Sequence, residues 1–83
     1  MNETEAAVER LSRGHYRPED RHLLPLAVSA AVAAGACGVS VNGWWNLIRV
    51  ERCPLPVLRI GRSIRHRTSD LLGYLIGESE GAA

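Results

Sequence analysis

Between residues 23 and 48 the chain carries no acidic, basic or histidine side chain: LLPLAVSAAVAAGACGVSVNGWWNLI. A tract of this kind has few outcomes. It crosses a membrane, acts as a signal, or breaks into short elements buried against the rest of the chain. The nineteen residues 23–41 reach the length of a transmembrane helix. Their content does not support one, because Leu or Val occurs at only seven places, Pro25 sits three residues in, and the rest is mostly Ala, Gly and Ser. As a signal the tract starts late, after 22 residues holding five acids, whereas an n-region is short and basic.

The punctuation favours division. Ser29 is a good N-cap for the alanine-rich run after it, and Cys37-Gly38 offers a left-handed stop. Ser40 is a second N-cap. The tract therefore reads as two short helices joined by a three- or four-residue turn containing glycine, the helix-turn-helix pattern. In the second helix Trp44, Leu47, Ile48 and the stem of Glu51 recur at i, i+3, i+4 and i+7, a core face. Trp45 points about 100° away, beside Val41, Asn42 and Arg49. It either caps the core from the side or stands exposed for a partner. Gly43 weakens this helix, which either a close backbone approach to another surface or tolerance in a packed domain explains.

Beyond the tract, Pro54 and Pro56 are expected to end the helix and open a strand, PVLRIG. Gly61-Arg62-Ser63 reads as the turn, and IRHR returns. On this register Leu58, Ile60, Ile64 and His66 share an apolar side, Arg59, Arg65 and Arg67 project from the other, and Arg62 stands at the tip. His66 reads as a half-buried, hydrogen-bonded histidine. Ser69, with Asp70 in the first turn, is expected to cap a short helix whose Leu71, Leu72, Leu75 and Ile76 close the core, with Gly77 as its stop.

The net charge of +1 conceals an asymmetry. Residues 1–22 hold five acids against four arginines, whereas residues 49–67 hold six arginines against Glu51 alone. All ten basic residues are arginine, the side chain suited to phosphates and base edges. A concentrated basic segment in a near-neutral chain is the footprint of a polyanion-binding face; a solvated arginine-rich hairpin is the alternative. At 83 residues the chain is one small domain that buries about 60% of its unfolded surface, so a partner, a second copy or a nucleic acid is a natural source of added stability.

Residues 1–22 form an extension. Asn2 with Glu5 can cap a helix through Arg13, with Val8 and Leu11 as a thin apolar stripe and Gly14 as its end, and HYRPED reads as a loop. Packing on the domain, pairing with another copy and flexibility all stay open for it. Residues 23–77 are the folded domain and 78–83 a flexible tail. Cys37 and Cys53 fit no metal spacing, and His15, His22 and His66 complete no site. With no nucleophile arrangement and no glycine-rich phosphate loop, the chain is not expected to be an enzyme, and no metal or cofactor is expected.

Helix, turn, helix, arginine hairpin and short helix in that order describe an α+β fold, a small winged helix-turn-helix with a two-stranded wing and an additional N-terminal helix. The stretch CGVSVNGWWNLIR…CPLPVLRIGRSIRHRTSDLLGYL closely resembles the phage and mobile-element excisionases, or recombination directionality factors, with AlpA-type regulators and the MerR-like winged helix as wider relatives. That motif runs G-V-S, an aliphatic-aromatic pair, L-I-R, then L-P, R-I-G-R and R-S-D-L. Here these are Gly38-Val39-Ser40, Trp44-Trp45, Leu47-Ile48-Arg49, Leu55-Pro56, Arg59-Ile60-Gly61-Arg62 and Thr68-Ser69-Asp70-Leu71. The likeness spans residues 26–76.

The resemblance implies a bacterial or phage protein, cytoplasmic and on DNA, that binds attachment-site duplex side by side with further copies, bends it and directs an integrase toward excision. It places the second helix in the major groove through Ser40, Val41, Asn42, Trp45, Asn46 and Arg49. It sets Arg59, Arg62, Ser63, Arg65 and Arg67 on the backbone or in an adjacent minor groove. Such proteins commonly carry Arg, Lys, Ser or Thr where this chain has Val41, Asn42, Gly43 and Asn46, which thins the phosphate contacts of the helix; the two asparagines suit adenine edges. The first helix lacks the usual surface carboxylates, so its alanine-rich outer face is open to a protein contact. A transcriptional regulator or a DNA packaging factor on the same fold is the alternative, and a small membrane or interaction protein the third.

Overall fold

The computed structural model describes residues 2–77; the tail expected at 78–83 lies outside the described residues. The elements run α1 (Glu3–Ser12), a 3-10 helix (Pro18–Leu23), β1 (Ala27–Ser29), α2 (Ala30–Ala36), α3 (Val41–Arg49), β2 (Leu58–Ile60), β3 (Ser63–Arg67) and α4 (Thr68–Ile76). The fold is α+β, helices around a three-stranded antiparallel sheet in the order β1-β3-β2. No helix among the described residues is long and apolar enough to cross a membrane. The uncharged tract is instead divided into β1, α2 and α3.

Its divisions fall where the caps lie. Ser29 Oγ accepts from the Val32 amide at 3.2 Å and Ser40 Oγ from the Gly43 amide at 3.0 Å, so each serine satisfies one of the open donors of its helix. Gly38 has φ 74°, and the Val39 amide returns 2.9 Å to the Ala34 carbonyl, which closes α2 in a left-handed stop. Four residues, 37–40, then separate α2 from α3.

The end of α3 differs from expectation. The helix stops at Arg49, well short of Pro54, and Glu51 rather than a glycine takes the left-handed position, at φ 59°. The Arg52 amide donates to the Leu47 carbonyl at 2.8 Å. Glu51 is thereby exposed and contributes nothing to the core face. At α4 the working residue is Thr68, not Ser69. The helix is capped at Arg67, while the Thr68 hydroxyl donates to the Pro25 carbonyl at 2.6 Å and its amide to that of Leu26 at 2.9 Å. Gly77 closes α4 at φ 74°.

The core joins Leu11, Val28, Ala30, Ala33, Ala34, Trp44, Leu55, Leu71 and Leu72, with Leu47, Ile48, Ile64 and Leu75 packed around them. Ile76, expected in the core, is 53% exposed. Cys37 and Cys53 are free thiols packed at the edge of this core. Burial pushes the Cys37 thiol above its ordinary pKa, with a smaller push from nearby Cys53.

The N-terminal segment packs on the domain. A Cβ built on Gly35 of α2 would land on the Ser12 carbonyl of α1, so the two helices meet with backbone against backbone at a position only glycine fills. α1 thus covers one side of the alanine-rich α2, while Ala31 stays exposed. HYRPED is not a plain loop, since Pro18 begins a 3-10 turn that delivers Asp20 to a fully buried position. There Arg10 Nε and a terminal guanidinium nitrogen reach the two carboxylate oxygens at 2.9 and 2.6 Å, and Arg17 adds a contact at 3.1 Å. These hydrogen bonds, first from Arg10 and then from Arg17, hold the Asp20 carboxyl far below the usual carboxylate range.

The hairpin register also differs. The turn has two residues, Gly61 and Arg62, and pairs Ile60 with Ser63, Arg59 with Ile64 and Leu58 with Arg65. A three-residue turn would have set Ile60 beside Ile64. One residue of slip exchanges faces in one strand relative to the other, here in the outgoing strand. Arg59 therefore lies on the same face as Ile64 and His66, whereas Leu58 and Ile60 share the outer face with Arg65 and Arg67. Ile60 is 59% exposed as a result. The third strand, β1, was not expected; it pairs Val28 with His66 and so buries Val28 beneath the sheet.

Candidate nucleic-acid interface

The exposed side of α3 follows from its buried one. Trp44 is fully buried, with Leu47 and Ile48 packed beside it. Helical spacing then turns Val41, Asn42, Trp45, Asn46 and Arg49 outward together, and all five are exposed. Trp45, for which burial at the flank and exposure were both open, is 42% exposed, and Val41 is 45% exposed. Up to Arg49 this surface holds no charge.

Trp44 and His66 set the angle between α3 and the hairpin. The indole Nε1 donates to His66 Nε2 at 3.0 Å, and His66 Nδ1 donates to the Pro56 carbonyl at 2.9 Å. The histidine is completely buried rather than half-buried. Accepting at Nε2 while donating at Nδ1 is what a neutral imidazole does, so both ring nitrogens serve structure.

Between α3 and the hairpin lies an open groove walled by Asn42, Trp45, Ile48 and Arg49 on one side and by Arg59 and Ile64 on the other, with Glu51 at its end. The structure thus brings four of the sequence-derived site residues together: Asn42, Trp45, Arg49 and Arg59. Val41 and Asn46 stand on the same helix outside the groove. Ser40 lies at the helix start, its Oγ engaged by the Gly43 amide. Arg62 and Ser63 occupy the hairpin tip, and Arg65 and Arg67 the outer sheet face. Ile48, Glu51 and Ile64 were not singled out as site residues. Ile48 could have been found as the i+3 neighbour of Trp45, but Ile64 depends on the hairpin register. Gly43 serves the helix cap: a Cβ there would press on Ser40 Oγ at 3.0 Å and on Val39 at 3.2 Å, so its reason is internal and needs no external surface.

Nine of the ten arginines fall into two groups. Arg10, Arg13 and Arg17 of the N-terminal segment are paired with Asp20, Glu9 and Glu19. Arg49, Arg52, Arg59, Arg62, Arg65 and Arg67 are all exposed and form no ion pair among the described residues. Arg49 makes a single side-chain bond, donating to Asn46 Oδ1 at 2.9 Å. Among the described residues, the positive charge where α3 meets the hairpin is thus held in no ion pair and faces Glu51 alone, whereas Arg10, Arg13 and Arg17 are paired.

Comparison with protein-family models, with curated proteins and with solved structures finds no match to this chain. The functional reading accordingly rests on the order of its motifs and on this geometry.

Proposed function

We propose that the chain is a small winged helix-turn-helix protein that binds duplex DNA and shapes it as an accessory factor, in the manner of the excisionases it resembles. The observation that carries the reading is the set of exposed, unpaired arginines flanking an uncharged, exposed helix face. A cation cluster whose arginines form no ion pair among the described residues suits a polyanion, and arginine suits phosphate. In this reading α3 enters the major groove, Arg49 and Arg59 meet phosphates on either side of it, and Arg62 at the hairpin tip reaches the adjacent minor groove. Arg65 and Arg67 face away from α3, so they meet the duplex where it curves around the hairpin, which ties them to bending. A single module of this size covers only about 600–1,000 Å², and side-by-side assembly on an attachment site would supply the remaining occupancy. The bias of an integrase toward excision is the role the resemblance implies. A transcriptional regulator would bind in the same way, and a neighbouring integrase gene separates the two.

The test is a mobility-shift titration of the full chain on duplex DNA at several salt concentrations. If Arg49, Arg59, Arg62, Arg65 and Arg67 all neutralise phosphates, log K falls against log salt with a slope of about −4.5. Arg59→Ala and Arg62→Ala each flatten that slope by about 1. Arg13→Ala leaves it unchanged, because Arg13 is paired with Glu9 at 2.7 Å on α1. Binding without a salt slope would falsify the assignment of the hairpin to phosphates.

A further inference from the structure

Resting on the reading of α3 as a major-groove helix, we propose that its exposed face selects A·T pairs, by a thymine-methyl contact from Val41 and Trp45 and an adenine contact from Asn42. Each base presents its own chemistry in the major groove. Guanine is read by arginine or lysine and the cytosine amine by a carboxylate, whereas adenine suits an amide and thymine offers an apolar methyl group. The first eight residues of α3 hold no arginine, lysine or carboxylate. They hold amides and exposed apolar surface.

The two asparagines are not equivalent. Asn46 Oδ1 already accepts from Arg49 at 2.9 Å, which directs that guanidinium across the helix end. The Asn42 side chain has no hydrogen-bond partner among the described residues, so its carbonyl oxygen and amide nitrogen remain together for adenine N6 and N7. Val41 and Trp45 are successive neighbours at i and i+4 and form one apolar strip along the same edge of the helix. An exposed apolar strip of this kind also suits a protein contact. The unpaired arginines beside it, Arg49 and Arg59, make a polyanion the complementary occupant.

The decisive measurement uses the full chain and duplexes enriched by it from a random library. Enriched sites should contain a short A·T run. Replacing a contacted thymine by uracil, which removes only the methyl group, weakens binding about three- to fivefold. Val41→Ala together with Trp45→Ala abolishes the difference between thymine and uracil while retaining salt-dependent binding. Replacing the contacted adenine by 7-deazaadenine, which lacks the N7 acceptor, weakens wild type about tenfold and leaves Asn42→Ala unaffected. Circular dichroism confirms that these surface variants fold. Equal affinity for thymine and uracil at every position, with duplex binding intact, overturns the inference and leaves the DNA reading standing. Retained discrimination in the double variant also overturns it. Absence of any duplex binding removes the DNA reading itself.

Discussion

Trp44 of α3 donates its indole proton to His66 of β3 across 3.0 Å, with the two rings edge to face at 82° and both residues buried. This bond joins the helix that carries the uncharged face to the hairpin that carries the arginines. Its geometry thus governs the width of the groove between them.

Replacing Trp44 by Phe keeps the ring but leaves His66 Nε2 without a donor, and the expected loss is about 1–3 kcal/mol. Trp44→Ala also opens a cavity and should cost about 3–5 kcal/mol, enough to unfold a domain of this size. Denaturant midpoints measure both. A Trp44→Phe variant as stable as wild type would mean that the indole bond contributes shape alone.

Gly35 supports the N-terminal helix through an absence. Alanine there gains about 1 kcal/mol of helix propensity but puts a methyl group on the Ser12 carbonyl. The net expectation is a loss of about 1–3 kcal/mol, with α1 displaced. Proteolysis should then cut within residues 1–22 faster than in wild type. A stabilised Gly35→Ala protein would show that α1 does not pack closely on α2.

Glu51 holds a left-handed conformation that glycine adopts freely. Glu51→Gly should raise stability by about 0.5–1 kcal/mol, the relief of backbone strain less the entropy that glycine adds to the unfolded chain. It also removes the one carboxylate among the described residues that wall the groove, so DNA affinity should rise at low salt. Thermal melts and low-salt titrations report these two effects separately.

Asp20 makes stability depend on acidity in a defined direction. Its folded-state pKa is depressed by the bonds from Arg10 and Arg17. Its contribution is therefore full above the unfolded carboxylate value, about 4, and fades as the pH falls below that. Asp20→Asn should lower Tm most near neutrality, and the gap from wild type should close as the pH drops into the acid range. A gap that stays constant down to strong acid contradicts the pairing.

The caps and the helix faces were legible from residues alone because their signals are local. Ser29, Gly38 and Ser40 act within three or four positions of themselves, and the spacing of Trp44, Leu47 and Ile48 turns Trp45 outward whatever the helix packs on. The clustering of arginine between residues 49 and 67 is likewise a property of the chain. Other assignments waited for partners distant along it. The two-residue turn at Gly61-Arg62 moved Arg59 to the groove and Ile60 to the outer face, a choice that several turn lengths would have satisfied locally. Strand β1 exists because Val28 meets His66, 38 residues away, and Asp20 is buried because Arg10 comes back to meet it. Short-range order follows from backbone preference and hydrogen bonds within a turn. Register, burial and the pairing of charges follow from which surfaces meet, and that depends on the whole chain at once.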